Sequence, residues 1–266
     1  MPNPAYLLTG LWFFLLGCAM GSFYNVLVDR LPAGESVIRG RSACTACGTR
    51  LRWSDLIPVW SFLALKGRCR YCGQKLSARY LVSELLTGGL FLLSFLRFAR
   101  HGGVPLLLTE LTLWSLLFVV GFMDWKEGVI MDSVLLIFTA AGVAARLCGG
   151  TPVREIVFGA AVGFALYGAV YLAARLLYGR EGFGAGDVLF LTAIGTFLGP
   201  VQTLVCGVLA FYFCLLWIAV LWLKKKKALR DMEMPFAPPI CLSAGVMLLF
   251  GSSVTGFLAR LMGFLP

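Results

Sequence analysis

The chain has 266 residues, 59% of them hydrophobic and only 14% charged, with a formal net charge of +10 and a mean hydropathy of +0.87. Soluble globular domains run at roughly 45–50% apolar and about 25% charged, so an ordinary water-soluble domain is excluded. Repeated apolar stretches of about 20 residues fit helices crossing a hydrocarbon core of roughly 30 Å, whereas a membrane barrel would show alternating segments of about ten residues. The expected fold is an all-α polytopic membrane protein.

In chain order, eight transmembrane helices are expected: Tyr6–Val28, Tyr80–Phe98, Leu106–Met123, Val134–Cys148, Ile156–Leu177, Val188–Leu198, Val201–Leu223 and Ile240–Leu261. The first lacks a basic n-region and a small-x-small cleavage site, so it reads as an uncleaved span; Leu16-Gly17-Cys18 suggests a lipoprotein site only faintly. The fourth and sixth are short for a full crossing and are expected to tilt little, thin the bilayer, or sit against protein and water. The domain reading is therefore a first helix at 1–28, a polar island at 29–79 and a transmembrane domain at 80–266.

The island, Asp29 to Arg79, carries Cys44-Thr45-Ala46-Cys47 and Cys69-Arg70-Tyr71-Cys72, two Cys-x-x-Cys pairs separated by 21 residues. That spacing suits four thiolates around one tetrahedral zinc ion, and Gly48 and Gly73 follow where a knuckle turn needs a left-handed residue. Disulfides are the competing reading, disfavoured because the island is placed in a reducing cytoplasm. A closed four-thiolate site is structural rather than catalytic, and about fifty residues bury too little core to fold without such a staple. Cys18, Cys148, Cys206, Cys214 and Cys241 stand singly and are expected to be small buried side chains.

The basic residues set the orientation, since Lys and Arg collect in short cytoplasmic loops. With both termini outside, 18 of the 23 fall on one side: ten from Arg30 to Arg79, then Lys126, Arg175, Arg180, Lys224–Lys227 and Arg230. Topology thus accounts for the positive charge, and no nucleic-acid partner is inferred. On that same side the third span ends at Asp124 and the sixth begins after Gly182-Phe183-Gly184-Ala185-Gly186-Asp187, so two carboxyl groups can meet at one depth.

Such a pair cannot ionise twice cheaply and supplies a general acid with a general base, the water-activating arrangement of aspartic peptidases. The glycines at 184 and 186 would admit a substrate backbone and unusual dihedrals. The plainer alternatives are that Asp187 and Asp132 are N-caps and Asp124 an interfacial acid. Glu84 is expected to pair with Arg79 or Lys75. His101, the one histidine, reads as solvated in an outer loop, which argues against a histidine triad.

These residues resemble the type IV prepilin peptidases, bifunctional leader peptidases and N-methyltransferases. The resemblance runs through Gly21-Ser22-Phe23-Tyr24-Asn25-Val26, Arg30-Leu31-Pro32, Leu56-Ile57-Pro58-Val59, both cysteine pairs with Gly67 and Gly73, Arg79-Tyr80, the spaced acids Asp124 and Asp132, and Gly184-Ala185-Gly186-Asp187. Met131, Leu189 and Ala237 depart from the commoner Pro, Lys and Gly.

The resemblance implies that Asp124 and Asp187 are the catalytic pair, that the substrates are prepilins and pseudopilins cut at the cytoplasmic face of a bacterial inner membrane, and that S-adenosylmethionine donates a methyl group to the new N-terminus. Gly184 and Gly186 are candidate substrate contacts, as are Gly21 and Asn25 for the methyl site. A proton-coupled transporter and a non-catalytic zinc-bearing scaffold are the alternatives from other classes; the internal repeat that would favour a transporter is not evident in the sequence.

Overall fold

The computed structural model describes residues 3–101, 103–178, 183–225 and 235–261. Gly182, Arg180 and the basic run from 226 to 230 therefore lie outside the described residues. Among those described there are nine α-helices and no sheet: α1 (Pro4–Arg30), α2 (Trp60–Ala64), α3 (Arg79–His101), α4 (Val104–Glu127), α5 (Asp132–Cys148), α6 (Val153–Tyr178), α7 (Ala185–Leu198), α8 (Pro200–Lys225) and α9 (Ala237–Leu261).

All but the five-residue α2 coincide with an expected span. Six (α1, α3, α4, α6, α8 and α9) are long and apolar enough to cross a membrane by length and composition, while α5 has 17 residues and α7 has 14. The chain divides into two compact units, Met1–Gly103 and Val104–Pro266.

In the first unit α1 packs along α3. Lipid-facing helices gain no hydrophobic advantage from pairing, so small residues that allow close approach decide the contact. Gly17 and Gly21 supply it: a Cβ on Gly17 would lie 2.8 Å from the Gly88 Cα, and one on Gly21 would lie 2.8 Å from the Ser83 carbonyl oxygen. One turn on, Asn25 Nδ2 donates to Ser83 Oγ at 2.5 Å and to the Gly21 carbonyl at 3.0 Å. Arg79 pairs with Asp29 at 2.6 Å, not with Glu84 as expected. His101 closes α3 rather than standing in a loop.

In the second unit α7 is the central element. Phe190, Leu191 and Ile194 are wholly buried in it, because α6 and α5 present glycines where α7 approaches them. A Cβ on Gly163 would meet the Leu191 carbonyl oxygen at 2.5 Å; Gly159 and Gly195 stand backbone against backbone, and Gly142 makes room for the Phe197 ring. At the far end, Arg146 donates to the carbonyls of Thr196 (2.8 Å) and Phe197 (2.6 Å), a cation on the last, otherwise orphaned, acceptors of the helix. Of the three options for this short span, it sits against protein, so its length need not match the bilayer.

The glycine seam generates a stability prediction. Gly159→Ala forces the α6 and α7 backbones apart and lowers stability by about 1–3 kcal/mol, read as a lower thermal midpoint in detergent. Gly256→Ala, where an added Cβ meets open space, leaves the midpoint in place.

Candidate active site and metal centre

Asp124 sits one residue short of Trp125 in the last turn of α4, and Asp187 is the third residue of α7. Both are buried, at 7% and 9% exposure, on helices that touch, and their carboxyl groups lie within Coulombic reach of each other. Neither the cap expected at Asp132 nor the capping alternative for Asp187 is found: the N-cap of α7 is Gly184 and that of α5 is Met131. Asp187 and Asp132 stand inside the first turns instead, Asp132 exposed, where the helix dipole still favours a carboxylate.

The partner of Asp124 comes from α9. Its Oδ2 accepts the Ala237 backbone N–H at 2.9 Å in a buried bond. A helix start leaves four N–H groups without intrahelical acceptors. Here Pro238 and Pro239 have none to offer, and the Ile240 N–H turns back to the Phe236 carbonyl at 3.4 Å, which leaves the Ala237 N–H for Asp124.

The loops leading into α7 and α9 are held by one aromatic cluster. Phe183 and Phe236 contact each other with centroids 5.4 Å apart, and both pack on Tyr167 of α6, at 5.3 and 5.9 Å. Phe211 of α8 completes the group, 5.2 Å from Phe236 and 5.6 Å from Tyr167, whose hydroxyl donates to the Gly207 carbonyl at 3.1 Å. Sequence reading missed this cluster; Phe183 and Phe236, each beside a Gly- or Pro-rich run that enters a helix, were its visible signal.

The glycines around Asp187 serve space rather than unusual dihedrals. Gly184 has φ −73° and ψ 131°, open to any residue, but a Cβ there would lie 2.9 Å from Asp187 Oδ2. One on Gly186 would lie 3.1 Å from the Ile130 Cβ. Beside this first turn an apolar groove of about 500 Å³ runs between α6 and α7, lined by Phe164, Ala165, Gly168 and Ala169 on one side and Ala185 and Val188 on the other.

In the island the four sulfurs of Cys44, Cys47, Cys69 and Cys72 lie within 4.8 Å of one another, a set that could hold a metal ion. Two equivalent knuckles build it. In each, the amide of the first cysteine bonds the carbonyl five residues on (Cys44 to Thr49 at 3.0 Å, Cys69 to Gln74 at 2.8 Å), and a glycine amide closes back on that cysteine at 2.9 Å. Gly48 (φ 68°) and Gly73 (φ 71°) take the expected left-handed positions.

The donor chemistry suits a cation. The Thr49 hydroxyl and amide bring the Cys47 thiol down to about 6, and the amides of Cys72 and Tyr71 lower Cys69 as well. At Cys72 the Gln74 amide pulls the same way, but desolvation and the neighbouring sulfurs prevail and push it up to about 11. Asp55 ties the segment together, accepting from Arg70 Nε at 2.7 Å and the Tyr71 hydroxyl at 2.9 Å. Of the remaining cysteines, Cys18 and Cys206 are buried as expected, whereas Cys148 is exposed at the end of α5.

Gly21 and Asn25 lie on the α1 face that packs on α3, and Asn25 Oδ1 is buried without a hydrogen-bond partner among the described residues. Close by in sequence to Ser83, the buried Glu84 accepts the Val59 N–H at 2.7 Å. Val59 holds φ 62° and ψ −52° in a tight turn closed by the Trp60 N–H on the Pro58 carbonyl, 2.6 Å. A β-branched residue in that region is strained, and the carboxylate is what pins it.

Comparison with known proteins agrees with this architecture. Residues 15–98 match the model of the bacterial Peptidase A24 N-terminal domain, and residues 111–220 match the type IV leader peptidase family. The chain is 40% identical to a prepilin leader peptidase/N-methyltransferase of Klebsiella pneumoniae, over 72% of this chain and 86% of that protein. Proteins of the same description from Pseudomonas putida (31%, covering 98% and 97%) and Bacillus subtilis (33%, covering 93% and 97%) align over nearly their whole length. No solved structure matches significantly. The chain belongs to the type IV leader peptidase family.

The metal centre yields a test. The expected outcome is about one zinc per chain of purified protein by atomic absorption, lost in Cys44→Ser or Cys69→Ser. Because the Cys47 thiol is held below its ordinary range, at about 6, its thiolate predominates above that value and is lost as pH falls through it. Metal retention declines in that direction.

Proposed function

We propose that this chain is a membrane-embedded aspartic endopeptidase that removes the basic leader from type IV prepilins and pseudopilins at the cytoplasmic face of the bacterial inner membrane, and methylates the new N-terminal amine with S-adenosylmethionine. The observation that carries the peptidase reading is the pair Asp124 and Asp187, buried on touching helices within Coulombic reach. One carboxylate removes a proton from water as its oxygen attacks the scissile carbonyl, and the neutral partner donates to that carbonyl oxygen. Collapse of the tetrahedral intermediate breaks the C–N bond, and the proton gathered by the base passes to the leaving amine.

The groove beside Asp187 suits the apolar helix that follows the cleavage site in such substrates. Its lining is apolar, and Ala185 and Val188 flank the acid on α7. A substrate helix lying there keeps its apolar face toward lipid and protein while the polar leader stays in water. Gly184 and Gly186 leave room for the extended segment at the scissile bond.

The methyl-transfer reading rests on the relatives' names and on the first unit, whose match to the A24 N-terminal domain spans the cysteine island. Zinc in that island is structural, since four sulfurs fill a tetrahedral ion. S-adenosylmethionine would supply an electrophilic methyl group; of the two candidate contacts, Gly21 is taken up by the close α1–α3 packing and does not fit that role, which leaves the Asn25 Oδ1, buried and without a hydrogen-bond partner among the described residues, as the one polar atom there open to a ligand group.

Asp124→Asn and Asp187→Asn each reduce prepilin cleavage by about 10²–10⁴-fold, measured on purified enzyme with mass analysis of the product. Normal processing by both variants overturns the reading. Gly168→Leu, which fills the groove where an added Cβ meets only Phe164 at 4.0 Å, raises KM for full-length prepilin and leaves a leader peptide without the apolar helix unaffected.

A further inference from the structure

The first residues of α9 belong to neither acid-bearing segment, yet they meet both. Ala237 gives its N–H to Asp124, and the ring of Phe236, one residue earlier, packs against Phe183, one residue before Gly184, the N-cap of α7. Both attachments are fixed by short-range geometry. Ala237 is wholly buried, so water cannot replace its bond to Asp124, and an unsatisfied amide or carboxylate there would be costly. Phe236 is held from two further sides by Tyr167 and Phe211, which anchors it to α6 and α8.

We propose that the segment Phe236–Ala237 is a positioning arm of the peptidase centre: the amide fixes the Asp124 carboxyl, the ring fixes the loop that carries Asp187, and the two acids are held in register through one dipeptide. This rests on the assignment of those acids as the catalytic pair. A shared water between two carboxyl groups tolerates little error, since misplacement by about 1 Å costs on the order of a hundredfold in rate. The hydrogen bond also bears on proton distribution, because an N–H at a helix start favours the charged form of the group it meets.

The titratable groups that face Asp124 are Asp187 from α7 and Cys241 from α9; those that face Asp187 are Asp124, Tyr167 from α6 and Cys214 from α8. The Gly184 amide also contacts Asp187. The Ala237 N–H bonds Asp124 alone among these groups, so its removal acts on Asp124 directly and on Asp187 only through the charge of Asp124.

Ala237→Pro removes that N–H at a first helical position, which proline accepts, but adds ring atoms to a wholly buried site, so its accumulation in membranes is checked first. Ala237→Gly keeps the N–H. Steady-state cleavage of purified prepilin across pH is the readout. For Ala237→Pro, kcat falls by about a hundredfold with KM unchanged, and one limb of the pH profile moves to higher pH. A moved acid limb identifies Asp124 as the base; a moved alkaline limb identifies it as the acid. Ala237→Gly retains the wild-type profile.

Phe236→Ala lowers kcat with KM held, and Phe236→Tyr restores it; this pair carries the test alone if Ala237→Pro does not accumulate in membranes. Wild-type kcat and profile in Ala237→Pro, or in Phe236→Ala, overturn the positioning arm. Loss of activity in Asp124→Asn alongside that result leaves the catalytic pair standing, whereas an active Asp124→Asn removes the pair itself.

Discussion

A carboxyl group at membrane depth costs several kcal/mol unless a donor, a countercharge or water meets it. This chain places two of them on touching helices, and the rest of the second unit is arranged around that constraint. The Ala237 amide meets Asp124, a bond made available because two prolines remove the competing donors at the start of α9. Asp187 is carried by a helix too short to be positioned by the bilayer, so α5 and α6 grip it through glycines and Arg146 fixes its far end. Rigidity here comes from backbone proximity and aromatic packing, both of which hold their geometry without water.

The first unit answers a different problem. Its soluble island is too small to sustain a core, and two knuckles of the same hydrogen-bond pattern bring four sulfurs together in place of one. The island is tied to α3 by the Glu84 carboxylate on the strained Val59 turn, and Arg79 and Asp29 link the ends of the two helices. Strain of this kind persists only where its surroundings over-determine it, so the turn marks a place where the chain's geometry is specified closely.

The two family matches follow the division of the chain, the N-terminal match falling in the first unit and the type IV leader peptidase match in the second. The two reactions proposed for the chain make different demands. Hydrolysis needs acids that share a water in a dry setting, while methyl transfer needs a site for a charged donor and a free amine. The first unit offers polar groups at Asn25, Ser83 and Glu84, whereas the side chains that face the acids of the second are Tyr167, Cys214 and Cys241.

Sequence alone determined the spans, because about 20 consecutive apolar residues have few alternatives in a membrane, and it determined the cysteine centre, because Cys-x-x-Cys spacing constrains where the sulfurs can go. It also picked out Asp124 and Asp187, through their place at the ends of spans on one side. What only the tertiary structure decided is how those groups are held. Asp187 lies within its helix and not at its cap, Glu84 reaches Val59 and not a basic neighbour, and Ala237 serves Asp124 from 113 positions away. Each of these depends on which backbone amide is left without a partner once the helices have packed, a quantity no local pattern encodes.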